Sequence, residues 1–366
     1  MKRLDEKEII GIFSRALGIR GLDDVAEIGK RMVFKADMLV ASTDVPPQMT
    51  PRQAARKSIV SCASDLAAKG ARPMAAMISL GLPADVTRGY VGELAAGFAL
   101  AQQEFGVKIV GGDTNAAKEL VIDCSMIGLA GRVPKRAGAR PGDAVIASGR
   151  FGYSASGLAV LLKGARAQGM FRKRAVDSAL MPMPRQTFGS LARYFTSSID
   201  SSDGLATSLY EIAVQSKADV QVDYDAAKAE GVDEFAQANG LDAHELVFHG
   251  GEEYEIIATV PKSALPKVKS AAKKAGCELH VIGSVKKGTG RVTADGRPVE
   301  NRGYLHFSSA YLPPGEDTGV FGKAKCRLCG DSVRFALKHL TEKHPEIMKG
   351  EMDREKMRKL VDKYFS

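Results

Sequence analysis

The carboxylates of this chain stand in short, punctuated settings: GLDD (Asp23, Asp24), KADMLV (Asp37), CASDLAAKGA (Asp65), GGDTN (Asp113) and DSSDG (Asp200, Asp203). A later segment, HGGEEYE, adds Glu252 and Glu253. Each aspartate alone fits a turn or a cap, because Asp beside Gly or Ser bonds its own backbone. Gathered at one place they would raise one another's pKa unless cations lay between them. Divalent ions holding a polyphosphate are the chemistry such a set serves.

A second constellation lies near the C-terminus, where Cys326-Arg-Leu-Cys329 is followed by His339 and His344 in a C-x2-C-x9-H-x4-H pattern. Two thiolates and two imidazoles suit tetrahedral Zn2+, which would stabilise a module too small to hold itself together. The middle spacing is shorter than in the common DNA-binding fingers. The usual nucleotide and hydrolase signatures are missing: there is no GxxxxGK[ST], no HRD…DFG set and no GxSxG elbow.

The elements that must position these groups follow from periodicity. Residues 4–18 read as an opening helix and 31–41 as a strand carrying Asp37. Thr50-Pro51-Arg52-Gln53 supplies an N-cap, a first-turn proline and a capping-box Gln, starting a helix that stops at Gly70. That helix carries Asp65, with Ser58 and Ser61 on the same side. A buried strand (MAAMISLGLP), a helix ending at Gly106, a strand running into an Asp113 turn and a further strand (ELVIDCSMIGLAGRV) follow. ARPGDAVIASG marks a fresh start, and the loop after Gly149 and Gly152 feeds a helix whose N-terminus could face an anion. DSSDG starts the helix LATSLYEIA. The architecture is α/β (α+β), with expected domains at 1–138 and 139–314, then a linker and small module with a terminal helix at 315–366.

The ordered set GLDDVAEI, ADMLV, SDLAAKGARP, GGDTN, KRAGARPGDAVIASGRFGYSASGLAVL, MPRQ, IDSSDGLATSL, GGEEYEIIATV and GYLHF resembles the thiamine-monophosphate kinases of the aminoimidazole ribonucleotide synthetase-like superfamily, in an archaeal-type form. The resemblance spans roughly residues 20–310 and implies that two-domain fold, with the zinc-finger-like module added. It implies ATP- and Mg2+-dependent phosphorylation of thiamine monophosphate to the diphosphate by direct in-line transfer, and a homodimer formed through the N-terminal sheet. It places several Mg2+ ions on Asp24, Asp37, Asp65, Asp113, Asp200 and Asp203, with Asp65 and Asp113 the catalytic pair. Nucleotide contacts fall to Gly112, Asp113, Arg136 and Ser202, and substrate contacts to Asp44, Glu253 and Tyr304. The register matters, because Ser42-Thr43-Asp44 also looks like the family's Ser-Thr-Asp metal motif. Setting Asp37 there keeps the gap to SDLAA and matches the following Met-Leu-Val, at the cost of placing Lys35 and Ala36 where hydroxyl residues would help ligate metal.

Alternatives are a related ATP-dependent enzyme of the superfamily acting on another small substrate, or an altered regulatory or nucleic-acid-binding protein using the zinc module. The first is disfavoured for selenophosphate synthesis by the lack of a reactive N-terminal Cys, and for hydrogenase maturation by the ending DKYFS. The net charge of +9 suits anionic ligands, yet residues 316–366 carry only 12 Lys+Arg against 9 Asp+Glu, so nucleic acid is weakly supported. No run approaches the ~20 apolar residues of a membrane span, no signal peptide is expected from the opening MKRLDEKEIIGIF, and five Cys, three of them widely scattered (Cys62, Cys124 and Cys277), fit a reducing, cytoplasmic compartment.

Overall fold

The computed structural model describes residues 4–19 and 21–304, and beyond them 324–329, 332, 333, 340, 343, 344, 347, 363 and 364. Residues 6–305 group as one compact unit, and 306–366 with the first five residues as another.

In the larger unit, helix α1 (Glu6–Leu17) precedes strands β1 (Ala26–Ile28) and β2 (Met32–Val40) and the short α2 (Ala41–Asp44). Helix α3 (Pro51–Ala68), β3 (Ala71–Leu82), α4 (Arg88–Phe105), β4 (Lys108–Ala116) and β5 (Val121–Ala130) follow. Among the described residues the strands form a five-stranded sheet in the order β1-β2-β5-β3-β4. Its neighbours are antiparallel except β3 and β4, which the α4 crossover makes parallel. β5 alternates strictly, sending Ile122, Cys124 and Met126 into the core under α3 while the residues between them turn away. Thr50 caps α3 with the full capping box. Gly97 lets α4 lie close against α3, since a Cβ there would stand 2.1 Å from the Arg52 carbonyl oxygen.

The chain leaves the first sheet at Ala130 and enters a second at Asp143, through the turn that the run ARPGD predicts. That sheet contains β6 (Asp143–Ala147), β7 (Ser197–Asp200), β8 (Ala218–Val222), β9 (Ile256–Pro261), β10 (His280–Lys287), β11 (Val292–Ala294) and β12 (Arg297–Pro298). Their order is β12-β11-β8-β10-β6-β9-β7. β6 and β7 are buried along their whole length; β6 reads as a near-continuous apolar run, whereas β7 buries Ser197, Ser198 and Asp200 in hydrogen bonds. Helices α5 (Tyr153–Lys163), α6 (Gly169–Leu180), α7 (Gln186–Gly189) and α8 (Leu205–Ser216) connect and cover these strands. The fold is a two-domain α+β arrangement.

One local expectation is corrected. Asp113 lies within β4 rather than in a turn, because β4 continues its parallel pairing with β3 as far as Ala116. In the smaller unit β13 (Ala324–Lys325) pairs antiparallel with β14 (Ser332–Val333), and the Cys326–Cys329 turn lies between them. The expected terminal helix lies outside the described residues apart from Lys363 and Tyr364. Among the described residues no helix is long and apolar enough to cross a membrane.

Candidate active site

Helix α3 is buried on nearly every side, yet it carries Arg56, Lys57, Ser64 and Asp65, with Lys69 as its C-cap. Charges taken out of water are tolerated only when paired, so each of these must meet a partner. Arg56 Nε donates to Glu104 at 2.7 Å, and Lys57 pairs with Glu252 while donating to the Asp44 carbonyl oxygen at 2.7 Å. Lys69 Nζ lies 2.6 Å from Asp23, 3.1 Å from Asp24 and 2.6 Å from the Ser198 carbonyl oxygen. One helix therefore ties the first domain to the second through its polar side chains.

Asp65, Asp24 and Asp200 meet, all buried, with one carboxylate oxygen of each within 4.8 Å of the others. They come from α3, from the loop before β1 and from the end of β7, so both domains contribute. Ser64 Oγ donates to Asp200 at 3.0 Å. Burial pushes Asp200 up to about 7, helped by the nearby Asp24 charge. Burial also raises Asp65 well above the carboxylate range, Lys35 opposing this and Asp200 and Asp24 adding to it. For Asp24 burial acts in the same direction, but Lys69 and Arg136 outweigh it and hold the carboxyl low. Arg136 grips Asp24 through Nε at 2.6 Å and Nη2 at 2.5 Å, with Glu211 3.6 Å from Nη1.

Lys35 Nζ stands 2.8 Å from Asp65 and 3.7 Å from Asp37. Burial would lower its pKa; Asp65 and Asp37 more than offset that and hold the ammonium well above its ordinary value. The donor set fits a hard divalent cation: it is all oxygen, and Asp24 Oδ2 is buried and makes no hydrogen bond, Lys69 approaching it only as an ion pair.

A second group adjoins this one. Glu252 and Tyr254 adopt left-handed backbone conformations, φ 63° and 52°, where non-glycine residues are strained. Glu252 pairs with Lys57, and the Glu252 and Tyr254 amides donate to the Ser202 and Ser201 carbonyls at 2.6 and 3.0 Å. The Tyr304 amide donates to the Asp203 carbonyl at 3.1 Å and its hydroxyl to the Thr43 carbonyl at 3.5 Å. The expected substrate residues Asp44 and Tyr304 thus share a neighbourhood with Ser202 and Asp203. Asp44 itself accepts the Val40 amide at 2.7 Å, closing the short α2.

Glu253 is placed differently. Its carboxyl accepts from the Gly152 and Ser154 amides at 2.6 and 3.2 Å, so the acceptor facing the α5 N-terminus is the protein's own. Burial pushes Glu253 up to about 8, against those two donors. Asp113 and Gly112 lie on the exposed edge strand β4, outside the three-carboxylate group. Lys57 and Lys69 were missed as site residues; their signal is the i, i+4 row Lys57, Ser61, Asp65, Lys69.

In the smaller unit Cys326 Sγ, Cys329 Sγ and a ring nitrogen of His344 lie within 4.8 Å of one another, Cys326 and His344 being 3.7 Å apart. His339 lies outside the described residues.

Residues 22–130 match the AIR synthase related protein N-terminal domain, and residues 140–295 its C-terminal domain. A thiamine-monophosphate kinase of Nitrosopumilus maritimus (strain SCM1) is 41% identical, covering 84% of this chain and 100% of that one. The enzyme of that name from Pyrococcus horikoshii is 34% identical over 79% of this chain and 91% of its own length. A solved structure described as AaThiL complexed with AMPPCP and TMP superposes with a TM-score of 0.76 at 27% identity, covering 84% of this chain and 99% of that chain. With its paired AIR synthase related domains and a full-length relative at this identity, the chain belongs to the thiamine-monophosphate kinase family.

Proposed function

We propose that this protein transfers the γ-phosphoryl group of ATP to thiamine monophosphate, giving thiamine diphosphate. The observation that carries the reading is the convergence of Asp24, Asp65 and Asp200 from both domains into one buried cluster, in a chain of this family. Mg2+ held by Asp24, Asp37, Asp65 and Asp200, with Asp113 and Asp203 toward the nucleotide, would neutralise charge on the transferring group. Direct in-line attack by a phosphate oxygen of the substrate needs positioning rather than a protein nucleophile, and the cluster contains none. Gly112, Arg136 and Ser202 are assigned to the nucleotide. Asp44, Glu253 and Tyr304 are assigned to the substrate side, Glu253 through the loop whose Gly152 and Ser154 amides its carboxyl accepts.

The domains are taken as 1–138 and 139–314, followed by 315–366. The sheet face turned away from α3 exposes Met38, Met74, Met77 and Val110, which favours a homodimer through that face. Cys62, Cys124 and Cys277 form no disulfide, which favours a cytoplasmic protein. Zn2+ is assigned to Cys326, Cys329 and His344, with His339 as the fourth ligand. Metal analysis of protein purified without chelator should find about one zinc per chain; Cys326→Ser protein retaining the same zinc would overturn that assignment.

The test of the kinase reading is product formation from ATP, Mg2+ and thiamine monophosphate, followed by chromatography of the thiamine phosphates. Asp65→Asn and Asp113→Asn should each reduce turnover by about 100-fold or more with unchanged circular dichroism. No thiamine diphosphate from the wild type, or near-normal turnover in both variants, sinks the assignment.

A further inference from the structure

Lys35 occupies a position that the sheet reserves for apolar side chains. Along β2 the odd residues face α3: Val33 and Leu39 lie in the core, and Lys35 and Asp37 stand between them. An ammonium at such a position is held by what it meets, here Asp65 at 2.8 Å and Asp37 at 3.7 Å. At the opposite end of the cluster Lys69 and Arg136 serve Asp23 and Asp24. Between the two ends Asp200 has the Ser64 hydroxyl and, among the described residues, no ion pair, while the buried Asp24 Oδ2 makes no hydrogen bond and has only the Lys69 ammonium, 3.1 Å away, as an ion pair.

The formal charges define what remains to be neutralised. With all five ionised, as a bound cation would hold them, Asp23, Asp24, Asp37, Asp65 and Asp200 contribute five negative charges against three positive ones from Lys35, Lys69 and Arg136, leaving two, the charge of one divalent ion. Without Lys35 the deficit is three.

We propose that the Lys35 ammonium is a resident cation of the cluster, filling one position that a divalent ion would otherwise take, so that the protein carboxylates accept one divalent ion rather than two. The inference rests on reading the cluster as a divalent-metal site. Its consequence is a site partly neutralised before any metal arrives, with less dependence on free Mg2+ for its integrity.

The experiment counts Mn2+ bound to the full chain without nucleotide, by equilibrium dialysis with electron paramagnetic resonance of the free ion. Wild type and Lys35→Arg should bind about one Mn2+, and Lys35→Ser and Lys35→Met about two. Thermal unfolding gives an independent readout: Lys35→Met should melt lower than wild type in chelator, and added Mn2+ should raise it more than it raises wild type. Equal Mn2+ counts in wild type, Lys35→Ser and Lys35→Met overturn the inference, as does a loss of stability that Mn2+ does not restore. Wild type binding no more Mn2+ than Asp200→Asn overturns the metal-site reading itself, whatever Lys35 does.

Discussion

Glu253 shows how one buried side chain can report on pH through the stability of the fold. Its carboxyl is accommodated at the α5 N-terminus, yet burial raises its pKa from 4.5 in the unfolded chain to about 8. The folded state then holds a proton that the unfolded state releases. The stability this gives is fully present below pH 4.5 and is lost as pH rises through about 8. Urea unfolding at pH 5 and pH 9 should show wild type losing at least about 1 kcal/mol more over that interval than Glu253→Gln, which carries no proton to release. Parallel pH profiles for the two proteins would exclude this account. The contrast with Asp24 is instructive, since that carboxyl is equally buried but has two cations and is held low.

At the scale of the element, α3 depends on two local devices. The Thr50 capping box fixes where it begins, and Gly97 fixes how closely α4 can approach it. Gly97→Ala should force the two helices apart at the Arg52 carbonyl and cost about 2 kcal/mol, read as a lower urea midpoint; an unchanged midpoint would show that the crossing has slack. These devices explain which parts of the fold were legible in the sequence. The start of α3 was written in Thr50-Pro51-Arg52-Gln53, and β5 in the alternation of ELVIDCSMIGLA, because caps and pleats act on neighbours in the chain. The continuation of β4 through Asp113 was not legible, because it is set by pairing with β3, and Gly111-Gly112-Asp113 reads locally as a turn. The pairing of Lys35 with Asp65 and of Lys69 with Asp23 and Asp24 was hidden for the same reason: the partners lie far apart in sequence.

Across the larger unit, the first sheet has one face under α3 and α4 and the other exposing methionines and Val110. If that face joins two copies, Met77→Asp should shift the sedimentation coefficient from dimer to monomer and lower the apparent association constant by about 100-fold. An unchanged sedimentation profile would exclude Met77 from the interface. A different consequence follows from α3 itself. It lies in the core of the first domain, its Ser64 bonds the second at Asp200, and its C-cap Lys69 bonds the second at Ser198. Separating either domain from α3 would break buried contacts that α3 makes with it. Its backbone amides should therefore exchange with deuterated solvent only when the two domains open together, making this helix the slowest-exchanging segment of the unit and the two domains a single cooperative folding event.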